Sequence, residues 1–514
     1  MRRRTLITRR GFVCAAGALA ASPSSGRATQ RAPMARRIAW GINLAGAEFG
    51  DLPGQHGTAY LYPTPENFAY AARKGFSLVR LPFKWERLEP RLGEPFDVQE
   101  LSLLRQAVAT GTQHGMTVVL DPHNYAKRRL ATDGWTREHE IGSASVPTAS
   151  FARFWHMLAT EFGNAPQVHF GLMNEPVSQK PDTWRGMAQE AIDAIRGTGA
   201  KNQIYVPGTA YSGAHSWSRV GNRVMGALKD PAQAMAFEVH QYFDANSSGT
   251  RPEVVSRSIG SERLTDFQRW AKDTGVRAFL GEFGAARDAR SLAALADMLD
   301  EVAANPDVWI GTAAWAGGPR WPPEEMFNLE PWPDGAEKPQ MAVLSGFARG
   351  APPVPVFKGE MAAVSYDVRR EGQGAAGMAA SALADVMRGD RFTLVIELPE
   401  ATLLRPQDLV KTDAGLVVAS APGHVRSDLA EGLRAGFAGP VSAGSPRRVR
   451  IALAVDRAAG TVALCATGGK PGQAPLAAGR VLVDAQTLHL APQLLRLAAY
   501  TQAFAVPDLA ELVA

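Results

Sequence analysis

The sequence predicts an α/β fold: a (β/α)8 barrel followed by a smaller all-β, sandwich-like domain. Eight short apolar runs recur at barrel-like intervals over residues 38 to about 318, with helical patterns between them. Several of these runs are continuously apolar, as expected of parallel strands buried on both faces. Beyond a Pro-rich stretch near 350 the alternation stops and only short strand-like runs with turns remain.

The expected strands are Ile38–Leu44, Leu78–Phe83, Thr117–Asp121, Val168–Met173, Ile204–Gly208, Ala236–His240, Arg277–Gly281 and Ile310–Ala314. Helix signals separate them. Thr64-Pro65-Glu66 offers an N-cap, a first-turn proline and an acid. Asp97 can cap a helix running to His114, which Gly115 would end. Trp184–Ile195 is a periodic amphipathic run. The barrel is therefore expected over residues 38–349, a stiff linker over 350–358 and an accessory β-sandwich over 359–514. Strands in the last region are expected at Arg391–Leu398, Gly415–Ser420, Val449–Val455, Gly460–Cys465, Gly479–Val483 and Leu494–Tyr500.

The chain has 514 residues and a net charge of +5, but residues 1–37 hold nine Arg and no acid. The first 21 residues carry five of those Arg, so without them the remainder is formally neutral, which argues against a nucleic-acid partner. Thr8-Arg9-Arg10-Gly11-Phe12-Val13 resembles a twin-arginine export motif, and the apolar run Phe12–Ala21 follows it. A leader ending near residue 28 and an exported, periplasmic or secreted enzyme are expected. The apolar run is too short for a stable membrane anchor. Only Cys14 and Cys465 are present, so the mature chain is expected to lack an internal disulfide.

Two runs end in a glutamate where a buried strand would surface: Gly171-Leu-Met-Asn-Glu-Pro176 and Phe279-Leu-Gly-Glu-Phe-Gly284. A pair of carboxylates at strand ends is the equipment of glycoside hydrolysis, one to protonate a leaving oxygen and one to attack or to activate water. Other polar residues gather at the same ends of successive strands: Arg80, His123 and Asn124, Asn174, His240 and Tyr242, and Trp315. Taken singly, each has a structural explanation. A common location at the face where barrel enzymes work is the stronger signal. The ten His show no metal-ligand spacing and no phosphate-cradling Gly-rich loop follows a strand, so neither a metal nor another cofactor is expected.

The ordered set Arg80, His123, Asn174-Glu175, His240, Tyr242, Glu282 and Trp315 resembles glycoside hydrolase family five, the retaining (β/α)8 cellulase family, over residues 38 to about 345. Tyr60-Leu-Tyr-Pro63, Asp182-Thr-Trp184 and His240-Gln-Tyr-Phe-Asp-Ala-Asn-Ser-Ser-Gly-Thr250 are similar to segments of its endo-β-1,4-glucanase branch. The resemblance implies Glu175 as acid/base and Glu282 as nucleophile, with Arg80 keeping Glu282 charged and Tyr242 donating to it. It implies that His123 and His240 hold sugar hydroxyls and orient the carboxylates, that Asn174 bonds the 2-hydroxyl, and that Trp315 underlies the ring. Asn124, Trp184 and Tyr211 are further substrate-contact candidates, with Trp40 and Trp217 as possible platforms. The implied partner is a β-glucan polysaccharide or oligosaccharide, taken by a monomer. The alternatives are another β-glycan (mannan, mixed-linkage or substituted exopolysaccharide) and a non-catalytic glycan-binding protein. The last region is similar in pattern to a concanavalin-like sandwich. All eleven Trp lie between 40 and 332, so that region lacks the tryptophans of a flat polysaccharide platform.

Overall fold

The computed structural model describes residues 38–350 without a gap and, between 356 and 513, the strands, two helices and part of their connections. The proposed leader and most of the Pro-rich linker, at 351–355 and 358–359, lie outside the described residues, as does the expected strand Gly479–Val483.

Eight parallel strands close into a barrel: β1 (Ala39–Leu44), β2 (Leu78–Phe83), β3 (Thr117–Pro122), β6 (Val168–Gly171), β7 (Ile204–Pro207), β8 (Met235–His240), β9 (Ala278–Glu282) and β10 (Trp309–Gly317). The pair β4 (Lys127–Arg129) and β5 (Glu138–Glu140) forms a hairpin after β3. Each barrel strand coincides with an expected run to within a few residues. Ladder order follows chain order, and β1 pairs with both β2 and β10.

The helices begin where the local chemistry allows. In α1 (Pro65–Arg73) the Thr64 hydroxyl accepts from the Asn67 N–H and the Asn67 side chain accepts from the Thr64 N–H, a reciprocal capping box behind a first-turn proline. The short α2 (Trp85–Leu88) follows β2. Asp97 caps α3 (Val98–Gln113) by accepting from the Glu100 N–H at 2.9 Å. Then follow α4 (Thr148–Phe162), α5 (Pro181–Gly197), α6 (Ile259–Thr274), α7 (Ala289–Ala303) and α8 (Pro339–Ala348). Between β7 and β8 the connection contains only 3-10 turns, Ala214–Ser216 and Asn222–Ala227. Trp217 fills the place of a helix there, buried against Phe237, Phe267 and Trp270.

Strand periodicity sorts the barrel interior into levels. Leu78, Val119, Tyr205, Ala236, Phe279 and Ala313 form a separate apolar layer, with the Tyr205 and Phe279 rings stacked at 4.2 Å. Two residues further along, the same strands carry Arg80, Asp121 and Glu238, all buried. A polar level thus rests on an apolar plug, and the open end lies above it.

In the C-terminal region a six-stranded antiparallel sheet and a five-stranded one share an apolar core, to which Leu394, Ile396 and Leu453 contribute from one and Val410, Val418 and Val425 from the other. The region also contains a helix the strand pattern did not anticipate, α9 (Ala376–Met387), and ends in α10 (Val506–Val513). The outer face of the larger sheet meets the barrel through ions. Asp297 of α7 is buried and its Oδ1 accepts from Arg450 at 3.2 Å and from Arg496 at 3.0 Å. Arg450 also bonds Glu397 at 3.0 Å, and Arg496 lies 3.4 Å from Asp300.

Candidate active site

At the C-terminal ends of the strands the chain gathers one connected polar cluster. Arg80 is its centre and is fully buried. Its Nη1 donates to Glu282 Oε1 at 2.9 Å and to Asn43 Oδ1 at 3.0 Å, and its Nη2 to Asn174 Oδ1 at 2.8 Å. Asp121 Oδ2 lies 3.1 Å from Nη1, and Glu238 Oε1 lies 2.9 Å from Nε. Burial works against the guanidinium charge, but Asp121, Glu238 and Glu282 outweigh it and hold the proton more firmly than usual.

Because Arg80 takes the oxygen of Asn174, the amide nitrogen faces His123 Nε2, at 3.1 Å. That nitrogen is then an acceptor, which puts the His123 proton on Nδ1, 2.8 Å from Asp121. Asn43 completes the frame by donating to the carbonyls of Gly281 and Ala313 at 2.9 and 3.0 Å.

The two glutamates face each other across His240. Its Nδ1 is 2.7 Å from Glu175 Oε1 and 3.6 Å from Glu282 Oε2, and an oxygen from each carboxylate lies within 4.8 Å of the other. Glu282 is buried and also accepts from the Tyr242 hydroxyl at 3.1 Å. Glu175 is the more open, with a side chain 15% exposed, on a residue with φ of 42°. Burial pushes the Glu282 carboxyl up, with Glu175 adding to the rise, while His240 and Arg80 oppose it. Arg80 makes the contact with Glu282 that the sequence led one to expect. Burial is the larger effect, and the carboxyl lies above the ordinary glutamate range.

Burial opposes a charge on His240, yet Glu282, Glu175 and Glu238 together push its pKa up to about 10. A histidine raised in the folded state contributes stability that is complete below its unfolded pKa, about 6.5, and that is lost as pH rises through the folded value. Thermal melts should therefore show the wild type losing stability between pH 7 and pH 10, and a His240→Asn variant losing less over the same interval.

Trp315 is half-buried beside this group, stacked on His123 with centroids 5.6 Å apart, and Trp321 meets it edge-on. Tyr211 is 55% exposed, and its N–H bonds the carbonyl of Pro176, next to Glu175. Four other expected contacts are corrected. Trp184 lies wholly inside the core, its indole N–H bonded to the Pro207 carbonyl and its ring against Phe151, because α5 turns its apolar face to the barrel. Trp217 is buried as described above, and Trp40 packs on Phe347 of α8. Asn124 is buried and engaged at both ends, accepting from the Trp85 N–H and donating to Glu86, so it anchors α2.

Asn43, Asp121, Glu238 and Tyr125, whose hydroxyl lies 3.4 Å from His123 Nε2, belong to the cluster and were missed. A signal for two of them existed: Asp121 and Glu238 each precede a site histidine by two residues, the spacing that puts both on one face of a strand. Gly281 serves the same level. A Cβ there would lie 2.2 Å from Glu238 Oε1, so the glycine leaves room for that carboxylate. Glu175, His240 and Glu282 are close enough to share an ion, but Arg80 already supplies a fixed positive charge to Glu282.

The family model described as Cellulase (glycosyl hydrolase family 5) matches residues 41–318, more than half of the chain. The chain belongs to this family. Endo-beta-1,4-glucanase A of Emericella nidulans is 38% identical over 305 residues, which span 58% of this chain and 89% of that relative. The endo-beta-1,4-glucanase Xac0029 from Xanthomonas axonopodis pv. citri is 42% identical in sequence with a TM-score of 0.59, covering 62% of this chain and all of that one. A structure of XacCel5A in complex with cellopentaose is also 42% identical, with a TM-score of 0.58, over 60% of this chain and 99% of that one. This family 5 member is accordingly a glycoside hydrolase on a (β/α)8 barrel. Its C-terminal sheets lie beyond the family match.

Proposed function

We propose that the chain is a retaining endo-β-1,4-glucanase, with Glu282 as nucleophile and Glu175 as acid/base. The observation that carries this is the closeness of the two carboxylates, with an oxygen of each within 4.8 Å. Retaining glycosidases need a separation of about 5–5.5 Å between carboxyl groups, whereas inverting ones need room for a water between them. In the first step Glu282 attacks the anomeric carbon while Glu175 gives its proton to the leaving oxygen. Formation of the ester removes the negative charge beside Glu175. In the second step Glu175, hydrogen-bonded to His240, takes a proton from the incoming water. Asn174, held by Arg80, is assigned the 2-hydroxyl contact, and Trp315 and Tyr211 the faces of neighbouring sugars.

The reading extends to an exported enzyme that acts as a monomer, with residues 38–349 as the catalytic barrel and 359–514 as an accessory domain. Among the described residues no helix is long and apolar enough to cross a membrane.

Purified protein should lower the viscosity of carboxymethylcellulose well before reducing ends accumulate. Proton NMR of cellotetraose hydrolysis should show the β-anomer first. An α-anomer first would reject retention. Activity confined to mannan, on a panel that includes mixed-linkage β-glucan, would reassign the substrate.

A further inference from the structure

Glu238 is a buried carboxylate that the reaction as written does not use. It lies on β8 one level below the two glutamates, with Oε1 3.2 Å from His240 Nε2 and 2.9 Å from Arg80 Nε. His240 therefore has a carboxylate on each ring nitrogen, Glu238 below and Glu175 above. Only the imidazolium can donate from both nitrogens at once. We infer that Glu238 is a positioning residue: it holds His240 as a two-armed donor whose Nδ1–H is aimed at Glu175, and so acts on the acid/base carboxyl through the imidazole. This rests on the reading of Glu175 given above.

The remaining surroundings of His240 fit this role. Glu282 of β9 is 3.6 Å from Nδ1, and Tyr242 donates to Glu282 from beyond. Arg80 of β2 and Asp121 of β3 lie on the far side of Glu238 and pair with each other at 3.1 Å. Arg80 has Asp121 and Glu282 for neutralisation without Glu238, whereas among the described residues Glu238 is the carboxylate paired with His240 Nε2. The His240 backbone is pinned as well, its N–H bonding the Ser212 carbonyl at 3.0 Å. Gly281 gives the Glu238 carboxylate the space to sit under the ring.

The test follows the imidazole directly. Nitrogen-15 NMR of the full-length protein should show His240 doubly protonated through neutral pH in the wild type. In Glu238→Gln it should titrate at least one pH unit lower, a tenfold loss of proton affinity. In that variant kcat on cellotetraose should fall tenfold or more with KM within twofold, and the pH profile of kcat/KM should shift. Glu238→Asp, which keeps the charge, should recover part of both. A Glu238→Gln protein with unaltered imidazole titration and pH profile, whatever its melting temperature, overturns the inference. If that variant does not fold, the wild type decides, because a His240 titrating near 6.5 is equally fatal. Full activity in Glu175→Gln would instead reject the acid/base assignment and leave the imidazole result standing on its own.

Discussion

Glu282→Gln is expected to lower kcat on carboxymethylcellulose by four or more powers of ten while the protein stays folded. The loss corresponds to about 5 kcal/mol or more of transition-state stabilisation, since each factor of ten is about 1.4 kcal/mol. The amide cannot form the glycosyl ester, so no weaker version of the same path remains. Folding survives for a local reason. Burial already raises the Glu282 carboxyl, so neutralising it relieves a desolvation cost, and Arg80 keeps Asp121 and Glu238 as counter-charges. Steady-state rates beside a urea melt measure both halves of the statement. A variant with a tenth of wild-type activity would remove Glu282 from the role of nucleophile.

Arg80→Met is expected to remove activity and stability together. The substitution leaves Asp121, Glu238 and Glu282 buried without the guanidinium that all three contact. Breaking a buried ion pair from one side costs about 3–5 kcal/mol, which a shift in the urea midpoint would read. The sign of its pH dependence is distinctive. Unpaired carboxylates bind protons more tightly in the folded variant than in the unfolded chain, so its stability should recover as pH falls. Arg80→Lys should rescue little, because one ammonium cannot replace contacts made separately through Nε, Nη1 and Nη2. A variant with wild-type stability at neutral pH would show that the cluster does not depend on its central cation.

The barrel was legible because its strands are buried on both faces, and Leu78–Phe83 or Val168–Gly171 cannot be taken for amphipathic surface. The upper level of the site was legible too, since Glu175, His240 and Glu282 end apolar runs and so mark the rim. The level below was not. Glu238 sits inside such a run, where a charge reads as an interruption, Asp121 ends another, and only the three-dimensional meeting with Arg80 explains them. Trp184 and Tyr211 show the other limit. Both are aromatics near motif segments, but the rotation of α5 turns Trp184 inward while Tyr211 lies on the exposed turn after β7, and a single side chain announces neither. The helix Ala376–Met387 escaped because its Ala-rich run lies among β-like segments without a capping residue to mark it.

Asp297 has a mechanical consequence. A catalytic module on a loose tether can search a polymer surface while its companion stays attached, since the two diffuse independently. Here one buried carboxylate of α7 grips two arginines of the C-terminal sheet, a contact that opposes such freedom. A barrel and sheets joined through Asp297 would turn together on a substrate, and the mouth of the barrel with them.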